Sequence, residues 1–399
     1  MAKELGKMEV RERFDDLAFS VAWPPSVTFG AGTAKSLGAR ARAMGASRAL
    51  LVTDAGLAAI GLADRVAGHL RAAGVQTDVF AKVRPNPTMS EVTEGVALMK
   101  EQGHDFIVAL GGGSSIDASK VMSMQMLSGR SIQEIEAKGV DDAPGTPLGF
   151  IAVPTTAGTG SEATTGALVK DDSGKKYLVR SVRCRPAQAI LDPELTLSVP
   201  ARMTASTGMD AFIHALGSYT NVQVNPIGDI CAQEAIRLVS RNLARAIADG
   251  SDLSARSAMM LGSHLAGIAI SLKGNDAIHG LSTAVESLVD CTHGESLSAL
   301  MPHVLRFNRE AAAARYAQIA RLMGRDVEGM SAFEAAAVGI EAMIGLRDAA
   351  GTCRRLGDLG IRAEMTERLT EMAAKGRSTL INCRKPERGE IAELYRAAI

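Results

Sequence analysis

The sequence predicts an α/β domain with a mainly parallel sheet, followed by an all-helical domain. Through about residue 196, short β-branched runs such as RALLVTD (48–54) and FIVALGGG (106–113) alternate with amphipathic segments, at the spacing of strand–helix–strand units. Beyond DPELTLSVP (192–200) the chain is rich in Ala, Leu, Met and Arg at helical spacing. A chain of 399 residues is also longer than a domain built around a single hydrophobic core usually is. We therefore predict two domains, residues 1–196 and 197–399.

Composition argues against several classes of partner. The 44 basic and 44 acidic residues cancel, and no long run of one sign could follow a phosphate backbone or an anionic bilayer, so nucleic acid and membrane partners are not expected. Residues 1–18 interleave charges without an apolar stretch of signal-peptide length, which predicts a soluble cytoplasmic protein. The five cysteines are widely spaced and form no CxxC pair, so we expect reduced thiols.

The helical half contains a carboxylate and an imidazole at helical spacing. In TGMDAFIHALGSY (207–219), Asp210 and His214 are four residues apart in an apolar run. On a helix they point the same way from successive turns and could bind one metal ion. The alternative is a local hydrogen-bonded pair, which is the commoner arrangement of an Asp and a His at this spacing.

A second segment adds two histidines. His279 and His293 are fourteen residues apart, about 21 Å on one continuous helix at 1.5 Å per residue, so a shared ion requires a break between them. The stretch VDCTHGE (289–295) offers that break, with a helix over 277–289, a turn containing Gly294, and a new helix after it. Three imidazoles and one carboxylate would form a set suited to Fe²⁺ or Zn²⁺.

Two strand-to-helix loops have the composition of phosphate-binding loops. FIVALGGGSSIDASK runs from an apolar strand into three glycines and a helix, so that backbone N–H groups and the helix N-terminus could contact a phosphate. The order is not GxGxxG, and a plain tight turn is the alternative. FIAVPTTAGTGSEAT repeats the arrangement after the next strand. Asp54 ends an earlier strand, where a carboxylate can bind a ribose diol and repel a 2′-phosphate, which favours NAD over NADP.

These motifs resemble the iron-containing (group III) alcohol dehydrogenase family over nearly the whole chain. In the family's order they are PPSVTFGAG, PNPT, GGGSSID, PTTAGTGSE, ILDPELTLSVP, TGMDAFIHA, THGESLSALMPHVLRFN and ELYRAA. The resemblance implies an N-terminal dinucleotide-binding α/β domain, a helical C-terminal domain and a metal in the cleft between them. It also implies a homo-oligomer, a dimer or larger.

The resemblance assigns site residues by motif position. The implied metal ligands are Asp210, His214, His279 and His293. The implied NAD contacts are Asp54, Asn86, Gly112, Gly113, Ser114, Asp117, Thr155, Thr156, Thr159, Thr164, Lys176 and Leu195.

The chain also departs from the family pattern. Thr283, followed by AVE, stands where many relatives have a second histidine, so proton release is expected to take another route. Lys273 lies six residues before His279, in a stretch that is usually apolar or small, and Gly166 replaces a side chain that faces the substrate in several relatives. Three arginines crowd the segment LVRSVRCRP, namely Arg180, Arg183 and Arg185.

The function that follows is hydride transfer between NAD(H) and a short-chain alcohol or aldehyde, dependent on Fe²⁺ or alternatively Zn²⁺. The extra cations suggest a substrate with an acidic group, a carboxylate, sulfonate or phosphonate, with Lys273 as a catalytic-site residue that binds it. The alternatives are a polyol dehydrogenase of the glycerol type, a non-redox enzyme of the same fold that uses NAD transiently, and a metal-free nucleotide-binding protein.

Overall fold

The computed structural model of the chain describes residues 18–21 and 25–399. Residues 1–17 and 22–24 lie outside the described residues, and so does most of the segment on which the absence of a signal peptide was predicted. None of the described helices combines the length and apolar composition that crossing a membrane requires. All five cysteines are free thiols, as expected.

Strands and helices alternate up to β5, the strands β5 to β8 follow without an α-helix between them, and the elements after residue 191 are helical. The strands are β1 (Ser26–Phe29), β2 (Arg48–Asp54), β3 (Gln76–Val83), β4 (Phe106–Gly111), β5 (Gly149–Pro154), β6 (Gly166–Lys170), β7 (Lys176–Arg180) and β8 (Gln188–Leu191). The helices of the first part are α1 (Leu37–Ala43), α2 (Ala55–Ala59), α3 (Leu62–Ala72), α4 (Met89–Gln102), α5 (Gly113–Ser128) and α6 (Ile132–Lys138). The later helices are α7 (Ala201–Thr220), α8 (Pro226–Ala248), α9 (Leu253–Lys273), α10 (Ala277–Glu286), α11 (His293–Asn308), α12 (Ala313–Leu322), α13 (Ala332–Ala350), α14 (Thr366–Ala374), α15 (Arg377–Leu380) and α16 (Arg388–Ala398).

Six strands form one parallel sheet in the order β3-β2-β4-β5-β8-β1, which confirms the predicted α/β fold class. β6 and β7 form a separate antiparallel hairpin. The central strands β4 and β5 are almost entirely buried, as expected for parallel strands with helices on both faces, and this explains why FIVAL and FIAV read as continuous apolar runs.

The sheet has a topological switch point between β2 and β4. From β2 the chain moves outward to β3 and then crosses back over β2 to β4, so the connections that leave β2 and β4 lie on opposite sides. In open α/β sheets this arrangement opens a crevice at the carboxyl ends of the two strands, where ligands bind. Asp54 ends β2 and Gly111 ends β4, so both predicted cofactor segments lie at this crevice.

The second part is helical, as predicted, and α7 is its central element. Sixteen of the twenty residues of α7 are buried, which is typical of a helix surrounded by others. Gly208 and Gly217 permit this close packing, since a β carbon at Gly208 would lie 2.3 Å from Leu243 and one at Gly217 would lie 2.8 Å from Asp276. The predicted division after residue 196 falls between β8 and α7, and as a domain boundary it stays a prediction.

The loop that follows β5 joins the two parts. We call residues 155–163 the interdomain loop. A β carbon on Gly160 would lie 2.6 Å from the Cα of Gly267 in α9, and one on Gly158 would lie 2.7 Å from the Cβ of Thr207 in α7. Gly160 also has a φ of 59°, in the left-handed region. The loop therefore touches both helices through backbone that has no room for a side chain.

This contact predicts the effect of adding one methyl group. In Gly267→Ala the new β carbon would lie 2.5 Å from the carbonyl oxygen of Gly160, so the helix or the loop must move, and we expect a loss of about 1–3 kcal/mol in the free energy of unfolding. The control is Gly68→Ala within α3, where a β carbon meets nothing within 4 Å, and we expect a gain of about 0.5–1 kcal/mol there. Denaturant titration measures both changes. An unaltered unfolding midpoint for Gly267→Ala would show that the contact is soft.

Candidate metal centre and dinucleotide cleft

Four potential metal ligands from three helices converge in the helical part. Each of Asp210, His214, His279 and His293 offers one ligand atom, and these atoms all lie within 4.8 Å of one another. Asp210 Oδ1 is 3.4 Å from His214 Nδ1 and 3.6 Å from the Nε2 atoms of both His279 and His293. The cluster is the set that the two sequence segments indicated.

A break in the helix brings His293 back to His279. The two side chains lie on separate helices, because α10 ends at Glu286 and α11 begins at His293 itself. The first helix is three residues shorter than the predicted 277–289, and Gly294 lies in the first turn of α11 instead of in the connection. A β carbon on Gly294 would lie 2.0 Å from the backbone oxygen of Ser206, so this glycine permits α11 to pack directly against α7.

The donor atoms of the cluster fit a metal ion. Asp210 Oδ1, His214 Nδ1 and His279 Nε2 are buried and have no hydrogen-bond partner within the described residues. Buried polar atoms are normally paired, since leaving one unpaired costs about 1–3 kcal/mol. Several unpaired donors and acceptors that face one point are therefore expected where an ion binds, and the three-nitrogen, one-oxygen set suits a divalent transition metal.

The charges of the cluster are strongly coupled. Burial lowers the pKa of His214 to about 3, although Asp210 opposes the shift. Burial alone would raise the pKa of Asp210, but His214 and His293 lower it to about 2. Burial alone would lower the pKa of His293, yet Glu286 and Asp210 raise it to about 9. At neutral pH the carboxylate of Asp210 is thus ionised and His214 is neutral, as metal ligands are, whereas His293 is protonated and has to lose a proton to bind an ion.

Glu286 lies next to the cluster and was not singled out from the sequence. Its Oε1 atom is 2.5 Å from His293 Nδ1 and accepts a hydrogen bond of 2.7 Å from the hydroxyl of Ser282, while Oε2 accepts one of 2.9 Å from the amine of Lys176. Burial would raise the pKa of Glu286, but His293 and Lys176 lower it well below its usual range. The available sequence signal was an acidic residue in an apolar helix, seven positions before a histidine.

The two predicted phosphate loops are in contact with each other. A β carbon on Gly112 would lie 3.1 Å from the hydroxyl of Thr156, and one on Gly113 would lie 2.7 Å from the methyl group of Thr159. Gly112 precedes α5 without a side-chain cap, so the N-terminal N–H groups of this 16-residue helix have no capping side chain. A helix N-terminus with glycine backbone beside it is suited to binding a phosphate.

Asp54 and Asn86 lie at the carboxyl ends of neighbouring strands. The half-buried carboxylate of Asp54 accepts a 2.9 Å hydrogen bond from the backbone N–H of Leu57 through Oδ1, which caps α2. Its second oxygen makes no hydrogen bond to the described residues and could bind a ribose hydroxyl. Asn86 has a φ of 54° and is the one residue other than glycine with positive φ in the described chain. Such a conformation is uncommon and is often found at ligand sites.

Other residues predicted to contact the cofactor form hydrogen bonds with, or pack against, other residues of the protein. The carboxylate of Asp117 accepts hydrogen bonds from the hydroxyl of Ser161 and, at 2.8 Å, from the backbone N–H of Leu168. Thr164 accepts a 2.9 Å hydrogen bond from Lys120. The remaining members are placed as follows: Ser114 is half-buried in the first turn of α5, Thr155 is buried directly after β5, Lys176 binds Glu286, and Leu195 is buried in the core below the sheet.

Lys120 is a buried cation that sequence reasoning did not identify. Its amine is fully buried and donates to the hydroxyls of Ser161 and Thr164 at 2.8 and 2.9 Å, and to the carbonyl of Gly166 at 2.6 Å. Burial lowers its pKa. Lys120 thereby ties α5 to the interdomain loop and to the start of β6. The available signal was its position within GGGSSIDASK.

The cations proposed for an acidic substrate have different environments. The amine of Lys273 is buried and forms an ion pair with Asp229, whose other oxygen is 2.9 Å from Arg315. Arg183 donates to backbone carbonyls of the segment 141–145. Arg180, which is exposed, and Arg185, which is half-buried, have no carboxylate partner among the described residues, and partial desolvation of each guanidinium lowers its pKa.

Comparison with known proteins identifies relatives of the entire fold. Residues 24–193 match the family described as iron-containing alcohol dehydrogenase, and residues 204–399 match its C-terminal family. The NAD-dependent methanol dehydrogenase of Bacillus methanolicus is 36% identical over 377 residues, covering 94% of this chain and 98% of that protein.

Two solved structures are especially informative. A 1,3-propanediol oxidoreductase is similar with a TM-score of 0.92 at 36% identity, over 96% of this chain and 100% of the other. A sulfoacetaldehyde reductase from Bifidobacterium kashiwanohense, solved in complex with NAD⁺, has a TM-score of 0.87 at 30% identity, over 96% of this chain and 99% of the other.

Proposed function

The chain belongs to the iron-containing alcohol dehydrogenase family, and on this premise we propose that it interconverts a short alcohol that bears an acidic group and the matching aldehyde. As a member of this family it is an NAD-dependent oxidoreductase of alcohols or aldehydes with iron as its metal. The proposal adds the residues that hold the metal and the cofactor, and the chemical class of the substrate.

The observation that supports the reaction best is the convergence of four ligand side chains, three of which have buried atoms without a hydrogen-bond partner among the described residues. We assign the metal to Asp210, His214, His279 and His293. When bound there, a divalent metal supplies a Lewis acid for a hydroxyl or carbonyl oxygen. The side chains of the first three are only 4–7% exposed, whereas that of His293 is 36% exposed, so the substrate is expected to enter from the side of His293.

The other side of the cleft is proposed to hold NAD(H). The backbone at Gly112 and Gly113 would bind the diphosphate, with Ser114, Thr155, Thr156 and Thr159 beside it. The free oxygen of Asp54 would bind a ribose hydroxyl. Asn86, Asp117, Thr164, Lys176 and Leu195 complete the proposed cofactor residues, and the contacts of Asp117 and Thr164 with neighbouring side chains favour a role in shaping the loops.

The interdomain loop positions the proposed cofactor site relative to the proposed metal site. Its threonines contact the glycines before α5, and Gly158 and Gly160 contact α7 and α9. Because the same short loop touches both binding regions, it can hold the reacting carbon and the nicotinamide in a fixed relation and limit the access of water.

The acidic substrate is supported by a pair of arginines that lack carboxylate partners. Alternate residues of β7 share one face, so Arg180 lies on the same face as Lys176, which reaches the metal cluster through Glu286. Gly166 pairs with Arg180 across the hairpin, and a β carbon there would be in ordinary van der Waals contact with Arg180, 3.8 Å from its Cγ. Desolvation lowers the pKa of Arg180, and the charge of Arg377, the first residue of α15, lowers it further.

Two guanidinium groups whose charges repel each other are suited to binding an anion. Arg377, like Arg180, makes no ion pair with the described residues, so a carboxylate, sulfonate or phosphonate would relieve their repulsion and gain charge-assisted hydrogen bonds. Lys273 is less suited, because its buried amine is already bound to Asp229. The similarity to a sulfoacetaldehyde reductase lends modest support to an anionic substrate. The competing function is oxidation of neutral alcohols or diols, as the names of the other relatives indicate.

The first prediction concerns the metal. Wild-type protein should take up one divalent metal per chain, and His279→Ala and His293→Ala should each abolish both metal uptake and activity, since each removes a ligand. Elemental analysis after dialysis provides the measurement. His69→Ala, which alters a histidine on α3, should retain the metal. Full occupancy in the His293→Ala protein would disprove the assignment.

The second prediction concerns the cofactor. Wild type should use NADH more efficiently than NADPH, and Asp54→Gly should raise the kcat/KM for NADPH because it removes the repulsion of the 2′-phosphate. Asp54→Asn provides the control, since it removes the charge while keeping an oxygen that can cap α2. Higher efficiency of the wild type with NADPH would show that Asp54 does not face the ribose.

The third prediction concerns the acidic group. For succinate semialdehyde, Arg180→Ala and Arg377→Ala should each raise KM about ten- to hundredfold, the loss of a charge-assisted hydrogen bond worth about 1.5–3 kcal/mol. Butyraldehyde, its neutral counterpart, should be nearly unaffected. Lys273→Ala tests the other cation: an equal loss on both aldehydes would indicate a structural role, and a selective loss on the anion would assign the contact to Lys273. A wild-type preference for butyraldehyde would refute the acidic substrate.

A further inference from the structure

The three imidazoles of the metal cluster are supported unequally by their surroundings. His293 Nδ1 is 2.5 Å from Glu286 Oε1. The nearest carboxylate oxygen to His279 Nδ1 belongs to Asp276 and is 3.9 Å away, too far for a hydrogen bond, and that nitrogen is unpaired among the described residues. His293 is also the most exposed of the three, so it has the fewest packing contacts to hold its ring.

We propose that Glu286 is a positioning residue for the metal: it holds His293 with Nε2 directed at the other ligands. This inference rests on the proposed metal site. A hydrogen bond from Nδ1 to a carboxylate selects the tautomer whose Nε2 lone pair is free to bind a metal, and it also fixes the plane of the ring. Nε2 of His293 is the atom that faces Asp210, at 3.6 Å.

The carboxylate of Glu286 is itself held from three directions. Ser282, one turn earlier on α10, donates to Oε1 at 2.7 Å, and Ser296, on α11, donates to the same oxygen at 3.0 Å. Lys176, from β7 of the α/β part, donates to Oε2 at 2.9 Å. The side chains of Glu286 and Lys176 are 7% and 10% exposed. A buried, fully bonded carboxylate has few alternative positions, so it can act as a rigid support.

Lys176 connects the carboxylate of Glu286 to the α/β part of the chain. It comes from the hairpin β6–β7, whereas Glu286 and His293 lie at the facing ends of α10 and α11. The ion pair neutralises a carboxylate that would otherwise add a second negative charge beside Asp210. It also links the position of a metal-site histidine to the part of the chain proposed to bind NAD(H).

The test compares the metal affinity of four proteins after chelation: wild type, Glu286→Gln, the double variant Lys176→Met with Glu286→Gln, and Glu364→Gln. A glutamine at position 286 has one acceptor oxygen and places an amide donor against the Lys176 ammonium, so it is expected to rotate and release His293. Competition with a chromophoric chelator should show affinity for Zn²⁺ reduced about ten- to hundredfold. Glu364 is exposed, and its change to Gln should leave the affinity unaltered.

The double variant separates positioning of His293 from disruption by an unpaired lysine. With both charges gone, no buried cation is left without a partner, yet the carboxylate that binds Nδ1 is still missing, so the affinity should stay low. The visible absorption of the Co²⁺-loaded proteins gives a second readout, because it depends on ligand geometry and should change in both Glu286 variants. Thermal melting of the metal-free proteins verifies that they fold.

The possible results distinguish a failure of this inference from a failure of the proposed metal site. Wild-type affinity and an unaltered Co²⁺ spectrum in Glu286→Gln would overturn the inference while leaving the metal site intact. Recovery of affinity in the double variant would overturn it as well, because Glu286 would then act only by neutralising Lys176. A wild-type protein that takes up no metal would refute the proposed site itself, and the inference with it.

Discussion

The structure depends on the contact between the interdomain loop and helices α7 and α9. Gly160 and Gly267 meet backbone to backbone, with space for no β carbon on either side. Close-packed backbone of this kind has few alternative arrangements, since any shift creates either a clash or a void. The loop is also in contact with the glycines that open α5. The distance between the phosphate-loop region and α7, which carries Asp210 and His214, is therefore set by van der Waals contact over a few residues.

Near this contact, two side chains of the glycine-rich motif hold the interdomain loop in place through hydrogen bonds. Lys120 and Asp117 both lie on α5, and both bind Ser161 in the interdomain loop. A motif that resembles a phosphate site thus has two functions: its backbone is available at the helix N-terminus, and its polar side chains hold the neighbouring loop. Burying a lysine is costly unless its donors are satisfied, and the three oxygens around the amine of Lys120 meet this requirement.

The metal cluster differs from the surroundings of Lys120, because it leaves buried polar atoms without hydrogen-bond partners. The ligand atoms of Asp210, His214 and His279 are buried and unpaired, which is unfavourable for the protein alone and favourable for binding an ion. Asp210 offsets part of the cost, because its negative charge lies within 3.6 Å of each imidazole. Glu286 and Lys176 surround the most exposed histidine with a second layer of charge. Together these groups hold the ligands close to one another before any ion binds.

The sequence by itself determined the alternation of strands and helices up to β5, the change from α/β to helical texture, and the identity of the four clustered side chains. These features depend on local periodicity, on residues four apart and on contiguous motifs, which are written directly in the chain. Only the tertiary structure decided which polar side chains form hydrogen bonds or ion pairs with each other. Glu286 binds Lys176 across 110 positions, and Lys273 binds Asp229 across 44, so neither pair leaves a periodic or contiguous signal. The residue type of Lys273 indicated an anion site, but the partner that neutralises it comes from another helix. Long-range pairing of charges arises from how helices pack, and sequence spacing alone does not encode it.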